Sequence, residues 1–225
     1  MTKFNKILRK KTEKQLIVEF ISLFKSYIAK KEKLKQRFTF VLTGGSSPIN
    51  LYKSLSKTKI NWQNIDLFWG DERYVSQRSN NSNFKLAKKY LIDKININKK
   101  NIFAVNTRKN TVNTSAKDYE KRIKQYFKNQ KVSFDLILMG MGSDGHIASL
   151  FLNNINLKTN RITSAILRKD FKRISLNLNV INKAKKIFLW LNNRKKSNIY
   201  RKIKNKKKIP VNYLKKSKTN LFLIS

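Results

Sequence analysis

Six glycines are all that this chain of 225 residues contains, and each stands at or just beyond the end of a short apolar run. The run Arg37 to Leu42 ends in Thr43-Gly44-Gly45-Ser46-Ser47-Pro48, Ile65 to Trp69 ends at Gly70, and Phe134 to Met139 leads into Gly140, Gly142 and Gly145. Runs of this length, rich in β-branched and aromatic residues and stopped by glycine, read as strands buried on both faces. Helical spacing follows or separates them: from Pro48 to about Leu55, from Phe84 to Ile92 and from Ala116 to Phe127. Strands that alternate with helices demand a parallel sheet with crossover helices. The expected fold is therefore α/β, a doubly wound, mostly parallel, Rossmann-like sheet with helices on both faces. In such a sheet the loops beyond the carboxyl ends of the strands converge on one crevice, where ligands bind.

The remaining pattern fits one domain over residues 1–225. Thr12 to Gln15 reads as a capping box, after which Ile17, Phe20, Ile21, Phe24 and Ile28 recur at helical spacing. Further strands are expected at Ile174 to Leu178, Lys186 to Leu191 and Leu221 to Ile224, with a helix from about Lys195 to Ile203. There is no internal repeat and no linker rich in Pro, Gly or Ser.

Composition narrows the chemistry. Cysteine is absent and histidine occurs once, so a disulfide framework, a thiolate metal site and a His-rich metal site are all excluded. No metal and no cofactor is expected. Met1 to Lys11 has too few apolar residues for a signal-peptide core, and no apolar run approaches the ~18 residues of a membrane span, so a cytoplasmic protein without membrane contact is expected. The formal charge of +40 raises nucleic-acid binding as a competing function. The lysines, however, are spread over nearly every segment, and the densest run, Arg201 to Lys208, reads as a solvated helix end and loop. No specific nucleic-acid partner is expected, only a positive field that attracts small anions, and the chain is expected to be a monomer or weak dimer.

The three glycine loops carry the candidate chemistry. Gly44 to Ser47 combines backbone N–H groups, two hydroxyls and a helix N-terminus, the parts from which phosphate sites are made, although Ser46 or Ser47 is equally placed to act as a helix N-cap. The second loop, Gly70-Asp71-Glu72-Arg73-Tyr74, sets two carboxylates beside a guanidinium. Five of the twelve acids, Asp66, Asp71, Glu72, Asp135 and Asp144, fall on the second and third strand-loop units. The third loop runs from Gly140 to Phe151 and holds the sole histidine. His146 is expected to open a helix whose Ile147, Leu150 and Phe151 face the sheet. Asp144, two residues earlier, is placed to orient the imidazole, and the glycine-rich backbone to supply N–H donors to an oxyanion. A lone histidine is commonly structural; this setting favours a base. The glycines lie far from the first strand-turn-helix unit, so they do not form a dinucleotide fingerprint.

Taken in order, these loops resemble the 6-phosphogluconolactonase family, grouped with the glucosamine-6-phosphate deaminases. The resemblance is carried by Thr43-Gly44-Gly45-Ser46-Ser47-Pro48, by Asp71-Glu72-Arg73-Tyr74-Val75 with Ser82-Asn83-Phe84, and by Gly140-Met141-Gly142-Ser143-Asp144-Gly145-His146-Ile147-Ala148-Ser149-Leu150-Phe151. It continues through Arg173-Ile174-Ser175-Leu176 to the closing segment Ile209 to Ile224. Arg73, where deaminases typically carry tyrosine, and Ala148-Ser149-Leu150-Phe151, where they carry a Phe-Asn-Glu-Pro-like sequence, favour the lactonase branch. The resemblance implies hydrolysis of 6-phospho-D-glucono-1,5-lactone to 6-phosphogluconate in the oxidative pentose phosphate pathway, with no metal. By position it implies that Gly44, Gly45, Ser46, Ser47, Arg73, Arg173 and Lys195 hold the substrate phosphate. His146, Asp144 and Asp71 are then the catalytic candidates, with His146 drawing a proton from water and Asp71 or Asp144 repelling the product carboxylate. Three positions depart from the pattern: Ser47 replaces a threonine, Asn192 a glycine and Leu152 a proline. Asn192 tolerates the left-handed backbone that the glycine would adopt. The alternatives are an amino-sugar-phosphate deaminase or isomerase, in which Asp71 would shuttle protons between sugar carbons, and a basic nucleic-acid-binding protein.

Overall fold

A computed structural model describes residues 3–153, 159–206 and 209–225. Met1 and Thr2, and Lys207 and Lys208 at the end of the densest basic run, lie outside the described residues. The chain opens with strand β1 (Lys6–Lys10), helix α1 (Glu13–Lys33), β2 (Phe38–Leu42), α2 (Ile49–Ser56), β3 (Ile65–Trp69) and β4 (Asp71–Arg73). It continues with α3 (Asn83–Tyr90), β5 (Ile102–Phe103), α4 (Val112–Tyr126), β6 (Leu136–Met139), β7 (Thr163–Ile166) and β8 (Arg173–Leu176). It closes with α5 (Leu178–Ile181), β9 (Lys186–Leu191), α6 (Arg194–Ile203) and β10 (Thr219–Ile224). Seven strands form one sheet in the order β1-β10-β9-β6-β2-β3-β5, and all their pairings are parallel.

The helices cover both faces. Val41 stands opposite Phe68 and Phe40 opposite Leu67, so Phe40 and Phe68 point to opposite sides of the sheet. On one side Phe20 and Phe24 of α1 pack against Phe38, Phe40, Phe188 and Phe222. On the other, Tyr126 of α4 packs on Phe68 and Phe103. All of these phenylalanines except the partly buried Phe103 are buried. The capping box of α1 forms as its sequence demands, with Thr12 accepting from the Gln15 amide and the Gln15 side chain accepting from the Thr12 amide.

Strand order fixes the place of the site. From β2 the chain steps outward to β3 and β5, then returns to β6 on the other side of β2 and steps away through β9 and β10. The winding reverses between β2 and β6. Loops leaving two neighbouring strands in opposite directions open a crevice at this point, and here those loops are Thr43 to Ser47 and Gly140 to His146.

Four features differ from the sequence expectation. The amphipathic α2 is capped by Pro48 without a side-chain bond, so neither Ser46 nor Ser47 is an N-cap. Ile174 to Leu176 does extend, but within β8 of a second, antiparallel sheet in the order β4-β8-β7, and Leu178 starts α5 instead of ending a strand. β1, β4, β5 and β7 are additional. Finally, no helix begins at His146: Ile147 and Leu150 bridge across a two-residue turn in which Ala148 takes φ +48. Ile147, Leu150 and Phe151 are nevertheless buried, as their apolar pattern requires.

Candidate active site

The mouth of the crevice begins at Thr43. The buried Tyr52 hydroxyl donates to the Thr43 carbonyl at 2.6 Å and accepts from its N–H at 3.0 Å, which fixes the first residue after β2. The Thr43 hydroxyl accepts from the Gly140 amide at 3.4 Å, tying the two strand ends together. The chain then turns through Gly45 at φ +76, a backbone setting that glycine takes without strain. Gly44 answers to sterics instead: a Cβ there would stand 2.0 Å from the side-chain oxygen of Asn83. The serine that follows is held from two sides, since Trp190 Nε1 donates to the Ser47 carbonyl at 3.2 Å and the Lys196 ammonium donates to the Ser47 hydroxyl.

The small antiparallel sheet brings in the second loop. Asp71 stands opposite Ser175, and Arg73 stands directly opposite Arg173. Two cations facing one another across an antiparallel pair repel, so this is an arrangement that a bound anion stabilises. Arg73 donates through Nη1 to the Asn81 carbonyl at 2.9 Å, and Arg173 pairs with Asp170, yet the Nε atoms of both guanidiniums are buried without a hydrogen-bond partner. Asp71 is 6% exposed; Ser149 Oγ donates to it at 2.6 Å, and the Asn83 side chain donates to its backbone carbonyl at 2.9 Å. The neighbouring Glu72 has a different task. It accepts from the amides of Arg73, Asn83 and Phe84 and from the Ser82 hydroxyl, and so holds the start of α3. Burial pushes its pKa up to about 7, against the lowering effect of those backbone bonds.

His146 sits on the third loop with Nδ1 2.5 Å from Asp144 Oδ1, and its amide also donates to that oxygen at 3.2 Å. Burial works to raise the Asp144 pKa, but the hydrogen bonds and charge of His146 prevail and hold it below the ordinary carboxylate value. An ionised Asp144 accepts the Nδ1 proton, which selects the tautomer with a free lone pair on Nε2. The ring packs on Phe151, with centroids 4.3 Å apart. The amide of Gly142 is taken by the His146 carbonyl, that of Gly145 by the Gly142 carbonyl, and that of Gly140 by Thr43. These three glycine amides are therefore engaged within the protein, and an oxyanion would draw on other amides of the glycine loops.

A cavity of about 220 Å³ joins the three loops and is walled by Gly44, Gly45, Ser46, Ser47, Asp71, Arg73, Arg173 and His146, together with Thr43, Asn83, Ala148 and Lys196. Of the residues expected at the site, Asp144 stands behind the imidazole, and Lys195 is exposed and outside the wall. The lysine that faces the cavity is Lys196. It occupies the third position of α6, whose N-cap Asn193 accepts the Lys196 amide at 2.9 Å, and burial lowers the pKa of its ammonium group. The sequence expectation is corrected by one residue. The glycine expected at Asn192 is not needed either: neither Asn192 nor Asn193 has positive φ. Asn83 and Lys196 were missed as site residues, though Asn83 lies in the Ser82-Asn83-Phe84 motif and an N-cap assigned to Asn193 would have pointed to Lys196. Among the described residues no group of three or more His, Cys, Asp or Glu side chains is placed to hold a metal ion, and no helix is long and apolar enough to cross a membrane.

This arrangement has relatives. The 6-phosphogluconolactonase of a Nostoc species is 35% identical over 176 residues, covering 76% of this chain and 73% of that protein. The 6-phosphogluconolactonase of Thermotoga maritima is 30% identical over 200 residues, covering 86% and 89%. Its crystal structure superposes with a TM-score of 0.85 over 97% of this chain and 99% of that one, at 24% identity. The 6-phosphogluconolactonase of Trypanosoma cruzi gives a TM-score of 0.87 over 100% and 96%, also at 24% identity. Residues 11–223, which include every loop of the cavity, match the description "Glucosamine-6-phosphate isomerases/6-phosphogluconolactonase". With the fold, the three loops and these matches in agreement, the chain belongs to the glucosamine-6-phosphate isomerase/6-phosphogluconolactonase family.

Proposed function

We propose that the protein hydrolyses 6-phospho-D-glucono-1,5-lactone to 6-phosphogluconate, with His146 as the general base. The observation that carries this reading is the pairing of His146 Nδ1 with an ionised Asp144, in a cavity that also presents Arg73 and Arg173. A base of fixed tautomer and a facing pair of cations are what a neutral ester with a remote phosphate requires. The relatives named as 6-phosphogluconolactonases support the identity of that ester.

In this mechanism Arg73, Arg173, Lys196 and the Gly44 to Ser47 turn hold the phosphate, and its binding energy orients the lactone carbonyl. Nε2 of His146 takes a proton from water as the water oxygen bonds to the carbonyl carbon, giving a tetrahedral oxyanion. Asp144 stabilises the resulting imidazolium. The bond between that carbon and the ring oxygen then breaks, the imidazolium proton passes to the departing oxygen, and the new carboxylic acid loses its proton to solvent. Asp71, buried beside Ser149 and Asn83, lines the same cavity and repels the product carboxylate. The same reading takes the protein as a cytoplasmic monomer or weak dimer with no cofactor, metal or specific nucleic-acid partner.

The test is a coupled assay in which 6-phosphogluconate is oxidised as it forms, read above spontaneous lactone hydrolysis. The expected result is strong acceleration with the phosphorylated lactone and, with acid release titrated for both substrates, a much weaker effect on glucono-1,5-lactone, which lacks the phosphate. No acceleration, or ammonia release from glucosamine 6-phosphate in its place, refutes the assignment.

A further inference from the structure

Asp144 fixes one atom of the imidazole, and one hydrogen bond leaves the ring free to pivot about it. The backbone adds little constraint, because residues 143–146 form neither helix nor strand and the His146 side chain is 28% exposed. The plane of the ring must come from what packs on it. Gly142 closes one approach, lying so near that a Cβ would stand 2.0 Å from Cε1 of His146. Another is closed by Phe151, only 5% exposed, whose ring meets the imidazole at 4.3 Å between centroids and 38° between planes.

Phe151 is itself anchored. The Arg168 guanidinium carbon lies 4.0 Å from its ring centroid, and that of Arg173 lies 5.7 Å away. Both guanidiniums are also held by Asp170, Arg168 through Nε at 3.4 Å and Arg173 through Nη2. Cations over a ring face are attracted by its quadrupole and resist the ring's rotation. The aromatic ring therefore touches the base and both guanidiniums, of which Arg173 also lines the cavity.

We propose that Phe151 is a positioning residue for the base: clamped by Arg168, its ring fixes the imidazole plane and so the direction in which Nε2 meets the attacking water. The proposal rests on the lactonase reading. It gives Phe151 a purpose beyond filling the core, since an aliphatic side chain of similar size would bury as well but present no flat face.

The single histidine makes the test direct, because its imidazole C–H resonances need no assignment. In the wild-type protein the Phe151 ring current should displace them from the positions of a free histidine; their absence from displaced positions overturns the stacking without any variant. In Phe151→Leu the displacement should vanish and kcat fall by about 10- to 100-fold with KM little changed. Phe151→Tyr, which keeps the ring face, should recover most of both. A Phe151→Leu variant that keeps its shifts or its kcat overturns the positioning role, as does a loss that Phe151→Tyr fails to recover. The two readings fail separately: a wild-type protein that opens no lactone refutes the function, whereas one that opens it and is indifferent to Phe151→Leu refutes only the clamp.

Discussion

Gly142→Ala separates the geometry of the base from the stability of the fold. Gly142 does not occupy the left-handed region, so alanine is compatible with its backbone. Its new methyl carbon, however, would stand 2.0 Å from Cε1, 2.2 Å from Nδ1 and 2.8 Å from Nε2 of His146. Opening the shortest of these to an ordinary contact of 3.4 Å needs a shift of about 1.4 Å. The ring is the mobile partner, and any such shift breaks the 2.5 Å bond to Asp144. The loss of that half-exposed bond costs about 1 kcal/mol, a fall in Tm of about 2–4 °C. The effect on rate is far larger, since displacing a reacting group by about 1 Å costs about 100-fold. Gly70→Ala, outside the cavity wall, is the control: its Cβ meets nothing nearer than the Leu42 carbonyl oxygen at 3.5 Å. Coupled kinetics and thermal melts on both variants should show Gly142→Ala folded, with kcat reduced at least about 100-fold, and Gly70→Ala close to wild type. Equal activity in the two would refute the claim that the imidazole must occupy this position.

Three further outcomes follow from the same structure. Lys196→Ala should raise KM for the phosphorylated lactone about tenfold or more while Lys195→Ala leaves it unchanged, and the reverse order in steady-state kinetics would restore the sequence-based assignment. Ala148→Gly should relieve the left-handed backbone at φ +48 and raise stability by on the order of 1 kcal/mol, read as a higher denaturation midpoint; a lower midpoint would contradict the strain. Because burial raises Glu72 to about 7, the folded state holds that proton more tightly than the unfolded chain. The contribution to stability is fully present below the unfolded value near 4.5 and is lost as pH rises through about 7, so the decline in Tm over this window should be shallower in Glu72→Gln. An identical decline in the two proteins would rule the group out.

What could be read from the sequence is what burial writes into it. β2, β3, β6 and β9 are apolar on both faces because helices cover both, and their runs stand out among the lysines. Gly44, Gly70 and Gly140 marked the strand ends that meet at the crevice. The strands that escaped notice lack this signature. β1 is an edge strand, Lys-Ile-Leu-Arg-Lys, with only Leu8 buried, and β4 is Asp-Glu-Arg, charged yet half of a functional wall. A charged triplet reads as a loop unless its partner is known, and β8 lies about a hundred residues further on. The helix expected at His146 failed for a local reason: an apolar pattern of Ile147, Leu150 and Phe151 suits a helix or a tight turn equally, and the φ +48 at Ala148 decides for the turn. The error at Lys195 has the same character. Successive helix residues point about 100° apart, so placing a side chain on the cavity requires the N-cap to be assigned correctly.

The central claim is that His146, held by Asp144, is the base that opens the lactone. His146→Ala tests it most directly, with lactone opening followed in the coupled assay and inorganic phosphate binding followed by calorimetry on the same preparation. The account predicts that kcat falls by about 10²–10⁴-fold toward the spontaneous rate while phosphate binds as it does to the wild-type protein, since Arg73, Arg173 and Lys196 are untouched. A variant that opens the lactone at the wild-type rate would contradict it.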